Sequence, residues 1–128
     1  MSLSLRTPLS KVKGLGAAKE GVSHWWNQRL TSIALIPLAL WFSFSIALIA
    51  VADYATVISW IASPFTTSLM ILSICIGFYH GYLGLQVIIE DYISHEPLKI
   101  TMLIGIGLLA ILFATLGVVS LLKISFGA

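Results

Sequence analysis

Charged residues are scarce in this chain. Only 9% of its 128 residues are charged, whereas 59% are hydrophobic, and the mean hydropathy is +1.02. Soluble domains carry roughly 25% charged residues, and no soluble core could hold so many apolar side chains in so short a chain. The composition therefore predicts an integral membrane protein. Too few residues lie outside the apolar runs to build a second domain, so chemistry that needs a large folded active site must come from a partner.

Cysteine is nearly absent as well. Cys75 is the single cysteine and stands within an apolar run, which excludes an internal disulfide and a multi-cysteine metal site. The start of the chain lacks the charged, apolar and cleavage-site pattern of a signal peptide, because mostly polar residues precede the first long apolar run. A basic, serine-containing start resembles an organelle transit peptide only weakly.

The apolar residues fall into three runs. Each run is long enough, as a helix, to cross a hydrocarbon layer of about 30 Å. Pro37 lies inside the first run, where membrane helices tolerate the loss of one backbone donor. The sequence predicts an all-α membrane protein with an N-terminal segment over residues 1–29 and a three-helix unit over residues 30–128, with spans at 30–52, 66–89 and 98–122, a loop at 53–64 and a turn at 93–97.

Basic residues cluster at one end of the chain. Five of the seven precede the first span, and the positive-inside rule therefore predicts a cytoplasmic N-terminus. These charges are scattered singly among leucine, glycine and serine, which disfavours a nucleic-acid-binding tail. The five basic residues are Arg6, Lys11, Lys13, Lys19 and Arg29.

One histidine lies near the middle of the second span. An ionisable side chain inside the bilayer is costly, so His80 is by default a candidate functional residue. Asp91 and Tyr92 follow 11 and 12 residues later, and the helical repeat places His80 and Asp91 on one face about 16 Å apart. Gly77 and Gly81 leave little bulk around the imidazole, so a flat cofactor or another helix backbone could approach closely.

Each candidate residue has a structural and a functional interpretation. His80 could hydrogen-bond a neighbouring helix, or its neutral imidazole could ligate haem iron, with the second axial ligand coming from another chain. Asp91 and Tyr92 could form an ordinary interfacial helix end, or a site where the phenol donates to a quinone carbonyl and the carboxylate relays protons. His24 and Arg29 could offset the charge of an anionic cofactor group, such as a haem propionate, or contact lipid headgroups.

The spacing from His80 to the Asp91 and Tyr92 pair is fairly specific among membrane proteins. With the lead-in GVSHWWNQRLTSIA over residues 21–34 and three spans in the expected order, the sequence resembles the small hydrophobic membrane anchor of succinate dehydrogenase. This subunit is also called the D subunit or cytochrome b556 small subunit, and the match is to its alphaproteobacterial form. The other matching residues are Gly84 and Gln86.

The resemblance implies a complex of the tricarboxylic acid cycle and aerobic electron transport. In it, a flavoprotein carrying FAD oxidises succinate to fumarate, and an iron-sulfur subunit passes electrons to the membrane. This chain, which would have no catalytic residue of its own, would pack with a sister anchor, the cytochrome b556 large subunit, into a helical bundle. The expected location is a bacterial inner membrane, with the mitochondrial inner membrane as a minor alternative.

The resemblance also implies roles for individual residues. The two anchors would bind haem b and ubiquinone, with His80 as one axial haem ligand and the sister anchor supplying the other. Tyr92 would hydrogen-bond the quinone, with Asp91 beside it.

Two other functions fit a small membrane protein with one buried histidine. A transporter or channel subunit could use His80 as a proton relay, but the spans offer no ionisable residue between Leu30 and Ala52 or between Ile100 and Leu122. A proton path needs polar groups in several spans, so this alternative is disfavoured. A cofactor-free structural anchor is the second alternative.

We predict that the two chain ends lie on opposite sides of the membrane, with the N-terminus in the cytoplasm, because three spans reverse the chain an odd number of times. Thiol labelling or protease access at sites engineered near Ser10 and Ala128 would measure this. Finding both ends on one side would contradict the predicted topology.

Overall fold

The computed structural model describes residues 18–127, and the side chains from residue 21 onward. Its secondary structure consists of helices over this range, so the predicted all-α class is confirmed. Three helices in the described residues are long and apolar enough to cross a membrane, as expected. The helices are α1 (Ala18–Ile49), α2 (Tyr54–Ala62), α3 (Pro64–Tyr92) and α4 (Glu96–Ser125).

Helix α1 begins well before the span predicted from Leu30. It starts at Ala18 and continues through the polar lead-in without a break, and the rest of the predicted N-terminal segment lies outside the described residues. Short polar side chains here bond their own helix, since the hydroxyl of Ser32 donates to the Gln28 carbonyl at 2.8 Å. The helix ends at Ile49, slightly before the predicted residue 52.

The region predicted as an outer loop contains a helix instead. Helix α2 spans nine residues without glycine or proline, and the Trp60 ring stacks on Trp41 of α1 with centroids 6.1 Å apart. This aromatic contact fastens a short helix that would be unstable alone. Asp53 precedes the helix, and the Thr56 hydroxyl in the first turn donates to its carboxylate, which lowers the pKa of Asp53.

A tight corner joins α2 to α3. Pro64 occupies the first turn of α3, where its missing N–H would have no helical partner anyway. The hydroxyl of Ser63 accepts from the Thr66 backbone N–H at 3.3 Å. Thr67 donates to the Ile61 carbonyl at 2.7 Å, and Thr66 and Thr67 are both buried. These bonds satisfy the helix end within the chain.

The turn between α3 and α4 is shorter than predicted. Only residues 93–95 lie outside a helix, because Pro97 sits in the first turn of α4, where proline is tolerated. His95 is exposed at the start of this helix, and its ring accepts weakly from the Leu98 N–H at 3.4 Å. Glu96 and Lys99 form an ion pair of 2.8 Å on the first turn.

Helix α3 is the central element and packs against both α1 and α4. Among the described residues, only Leu83, Ile89 and Leu121 are buried apolar side chains. Most large apolar residues are exposed in the isolated chain, as expected where lipid or another membrane protein covers the helices. The chain therefore builds two helix contacts on α3 and leaves the remaining surface apolar.

Close approach of α3 and α4 depends on Gly117. A β-carbon at Gly117 would lie 3.0 Å from Cδ1 of Ile74, whereas one at Gly105 would meet no atom of the described chain within 4 Å. We therefore expect Gly117→Leu to destabilise the helix pair by about 1–3 kcal/mol through overpacking. Unfolding in mixed detergent micelles, followed by circular dichroism, would measure this.

Gly105→Leu is the matched control, because both positions lie within α4 and gain the same helix propensity. It should cost less than Gly117→Leu. Equal losses in the two variants would contradict the proposed α3–α4 contact.

Candidate functional site

His80 contacts α1 through a single polar pair. Its ring nitrogen Nδ1 lies 2.9 Å from the hydroxyl oxygen of Thr31, and both side chains are half-buried. The same hydroxyl lies 2.8 Å from the Asn27 carbonyl oxygen and 3.0 Å from that of Gln28. The mid-span histidine is thus attached, through one threonine, to the backbone of the neighbouring helix.

The second ring nitrogen of His80, Nε2, is left without a hydrogen-bond partner in the described part of the chain. Neighbouring glycines leave space beside this turn of α3, since β-carbons at Gly77 and Gly81 would meet no described atom within 4 Å. These two glycines line an apolar groove of about 800 Å³ between α1, α3 and α4, and His80 is not among its lining residues. One imidazole nitrogen is therefore tied down and the other is available.

A second polar contact joins the same two helices. The amide of Asn27 donates to the Tyr79 hydroxyl at 3.3 Å. One turn further along α3, a β-carbon at Gly84 would lie 3.6 Å from the Gln28 side-chain nitrogen, an ordinary van der Waals distance, so the Gln28 side chain packs against α3 there. Interhelical hydrogen bonds and small residues are the usual means by which membrane helices associate. The α1–α3 interface is consequently polar near His80.

A pocket of about 500 Å³ lies between the start of α1 and the end of α3. Arg29 holds its guanidinium carbon 4.3 Å from the centroid of the Trp25 ring, a cation–π contact that orients the charge. On the facing helix, Gln86 donates to the Glu90 carboxylate at 2.8 Å. The lining residues are Gly21, His24, Trp25, Gln28, Arg29, Gln86, Val87 and Glu90.

Two buried polar atoms of the residues that line this pocket have no partner in the described residues. They are Nε2 of His24 and Oε1 of Gln28. Buried polar groups are normally satisfied, so such atoms point to a group that completes them. The pocket holds both the Arg29 cation and the Glu90 carboxylate, and with its unused hydrogen-bonding capacity it suits a polar group of a ligand.

Asp91 and Tyr92 are the last two residues of α3. Both are exposed, and 83% of the Tyr92 surface is accessible in this chain. They do not line the polar pocket, although Glu90 beside them does. A site at these two residues would need another subunit to enclose it.

The structure therefore divides the predicted site residues into three groups. His24 and Arg29 share the polar pocket, and His80 pairs with Thr31. Asp91 and Tyr92 stand apart at the helix end. Over the residues that the structure describes, no group of three or more histidine, cysteine or acidic side chains could hold a bare metal ion.

A profile of the succinate dehydrogenase/fumarate reductase transmembrane subunit family matches residues 4–118. The chain belongs to this family. The family predicted from the His80, Asp91 and Tyr92 spacing is thereby confirmed, and the observed three long helices agree with it.

Curated relatives in this family cover most of the chain. The succinate dehydrogenase hydrophobic membrane anchor subunit of Rickettsia bellii (strain RML369-C) is 34% identical over 88% of this chain and 90% of its own length. That of Rickettsia conorii (strain ATCC VR-613 / Malish 7) is 32% identical over 94% and 97%. The Paracoccus denitrificans subunit of the same name is 25% identical over 78% of each chain. No solved structure matches the chain significantly.

Sequence reasoning on this member of the succinate dehydrogenase/fumarate reductase family missed Thr31 and Asn27. Both lie on the face of α1 that meets His80 and Tyr79. Their signal was present, because Asn27 and Thr31 are four residues apart and so share one helix face. Both side chains are neutral, so the cost of burying a charge, which marked His80, did not mark them.

Proposed function

We propose that this chain is the hydrophobic membrane anchor subunit of a succinate dehydrogenase complex, and that it helps to bind haem b and ubiquinone. The Thr31–His80 contact carries the haem part of the proposal, because it occupies Nδ1 and leaves Nε2 free. An axial histidine needs one nitrogen with a free lone pair and commonly donates the other N–H to a fixed acceptor.

The donor set around His80 fits a haem better than a bare metal ion. A haem iron is already held by its macrocycle and needs only axial ligands from protein. This chain offers one imidazole at that depth, so the second axial ligand comes from the sister anchor. Gly77 and Gly81 keep bulk away from the neighbouring turn of α3. When bound, haem b supplies a one-electron carrier within the membrane.

The polar pocket serves the charged edge of the same cofactor. Haem propionates are anions, and Arg29 presents a cation that its stacking on Trp25 holds in place. His24 adds a ring nitrogen that has no partner among the described residues. The pocket lies between the start of α1 and the end of α3, so in the proposed topology it faces the cytoplasmic side.

Quinone reduction takes place at the end of α3. The Tyr92 hydroxyl donates a hydrogen bond to a quinone carbonyl oxygen, and the Asp91 carboxylate beside it relays protons that accompany reduction. Both side chains are exposed in the isolated chain, and in the proposed complex the iron-sulfur subunit and the sister anchor would complete the walls.

Anchoring follows from the surface of the helices. Three apolar helices hold the chain in the membrane, and their exposed apolar faces pack against lipid and the sister anchor. FAD and the iron-sulfur clusters belong to the flavoprotein and iron-sulfur subunits. The complex works in the tricarboxylic acid cycle and aerobic electron transport at a bacterial inner membrane.

His80→Ala should abolish or strongly change the reduced-haem absorption bands of the purified complex, because it removes an axial ligand. The subunits should still assemble at least in part, which co-purification in mild detergent would check. His95→Ala is the matched control, since His95 is exposed in the turn before α4 and should leave the spectrum unchanged. An unaltered spectrum and redox potential in His80→Ala would place the ligand elsewhere.

Tyr92→Phe should weaken quinone reduction by about 0.5–1.5 kcal/mol, the usual net value of one hydrogen bond. Asp91→Asn keeps the side-chain shape but removes the charge, so it should slow proton-coupled turnover. Succinate oxidation with a water-soluble acceptor, which takes electrons upstream, should stay normal in both variants. The two assays on membranes or purified complex would separate these effects.

Tyr54→Phe provides the control for loss of a phenol hydroxyl. Tyr54 is 81% exposed, close to the 83% of Tyr92, but it begins the helix at the other end of the bundle. It should leave both activities unchanged. Wild-type quinone reductase activity in both Tyr92→Phe and Asp91→Asn would show that this pair is an ordinary helix end.

A further inference from the structure

We infer that Thr31 is a positioning residue for His80: its hydroxyl accepts a hydrogen bond from the Nδ1–H of the imidazole and donates one to the α1 backbone, which fixes the ring as the tautomer with a free Nε2. The inference rests on the proposed role of His80 as a haem ligand. In this inference Thr31, a neutral residue on α1, determines which imidazole nitrogen of His80 would face the iron.

Proton counting at the Thr31 hydroxyl decides the tautomer. The hydroxyl has one proton, and its oxygen lies 2.8 Å from the Asn27 carbonyl oxygen and 3.0 Å from that of Gln28. Carbonyl oxygens only accept. If the proton pointed at His80 instead, oxygen lone pairs would face each other at these short separations with no hydrogen between them.

The Thr31 hydroxyl therefore donates its hydrogen bond to the α1 carbonyls, as threonine often does within a helix. The remaining neighbour, Nδ1 of His80, lies 2.9 Å from the same oxygen, which is a hydrogen-bond distance. Because the hydroxyl has no second proton to give, Nδ1 must donate. A neutral imidazole with hydrogen on Nδ1 carries its lone pair on Nε2.

This arrangement has two consequences for a metal-bound ring. The bond fixes the orientation of the imidazole from a neighbouring helix, and donation from Nδ1–H raises the basicity of the ligating nitrogen. A more basic axial ligand favours the ferric over the ferrous state, so this bond would lower the redox potential of a haem held by His80. Removing the acceptor should raise that potential.

The experiment compares Thr31→Val, Thr31→Ser and wild type in the assembled complex. Valine keeps the shape of threonine without the hydroxyl, whereas serine keeps the hydroxyl. We expect an upward shift of the haem midpoint potential in Thr31→Val, measured by potentiometric titration of the absorption bands, and a near wild-type potential in Thr31→Ser. Loss of haem from an assembled Thr31→Val complex, with retention in Thr31→Ser, would support the same conclusion.

Thr115→Val is the matched control, because the Thr115 hydroxyl makes the same kind of helical back-bond, to the Ile111 carbonyl at 2.7 Å, without a histidine beside it. It should leave the potential unchanged. A wild-type potential in Thr31→Val, in a complex whose haem is lost on His80→Ala, would overturn the role of Thr31 alone. An unaltered haem in His80→Ala would overturn the proposed ligand itself.

A measurement on the wild-type complex covers the case in which Thr31→Val fails to assemble. Nitrogen-15 NMR of labelled histidine, with His80 identified by its loss in the His80→Ala complex, reports which ring nitrogen carries hydrogen. Protonated Nδ1 with unprotonated Nε2 would support the inference. The opposite tautomer would overturn it.

Discussion

The absence of water in the bilayer core is the constraint on which the rest of this structure depends. Backbone groups must be satisfied within the chain, which leaves helices as the way for a single short chain to cross. The same constraint applies to polar side chains. The hydroxyls of Thr31 and Ser32 donate hydrogen bonds to backbone carbonyls of their own helix. His80 hydrogen-bonds Thr31 across the α1–α3 interface. Polar groups inside this protein therefore occur as short local networks.

Both neighbours of helix α3 approach it closely but on different faces. Thr31 meets it from α1, while Gly117 of α4 receives Ile74 at near-contact distance. The rest of the surface stays apolar and open, with few buried apolar residues among those described. An apolar surface of this kind is covered by lipid or by other membrane proteins, which agrees with the membership of this chain in a transmembrane subunit family.

Long apolar runs made the three spans predictable, and the cost of placing an ionisable group in the membrane marked His80 as a candidate residue on the central helix. The start of α1 was less predictable. Polar residues such as Asn27 mark the end of the apolar run, but they do not interrupt the helix. Helix α2 was missed because its stability comes from the Trp41–Trp60 stack, a contact between residues distant in sequence. Thr31, the partner of His80, was missed for the same reason, because the two residues are distant in sequence and meet only through the packing of α1 on α3.

The antiparallel register of α1 and α3 links the candidate sites to one another. Thr31 faces His80, Gln28 lies at Gly84, and His24 shares a pocket with Glu90. Moving along α3 from His80 to Glu90 covers about 15 Å at the helical rise. Rigid helices transmit a change of tilt along their whole length. A shift of α1 would therefore disturb the imidazole contact and the polar pocket together.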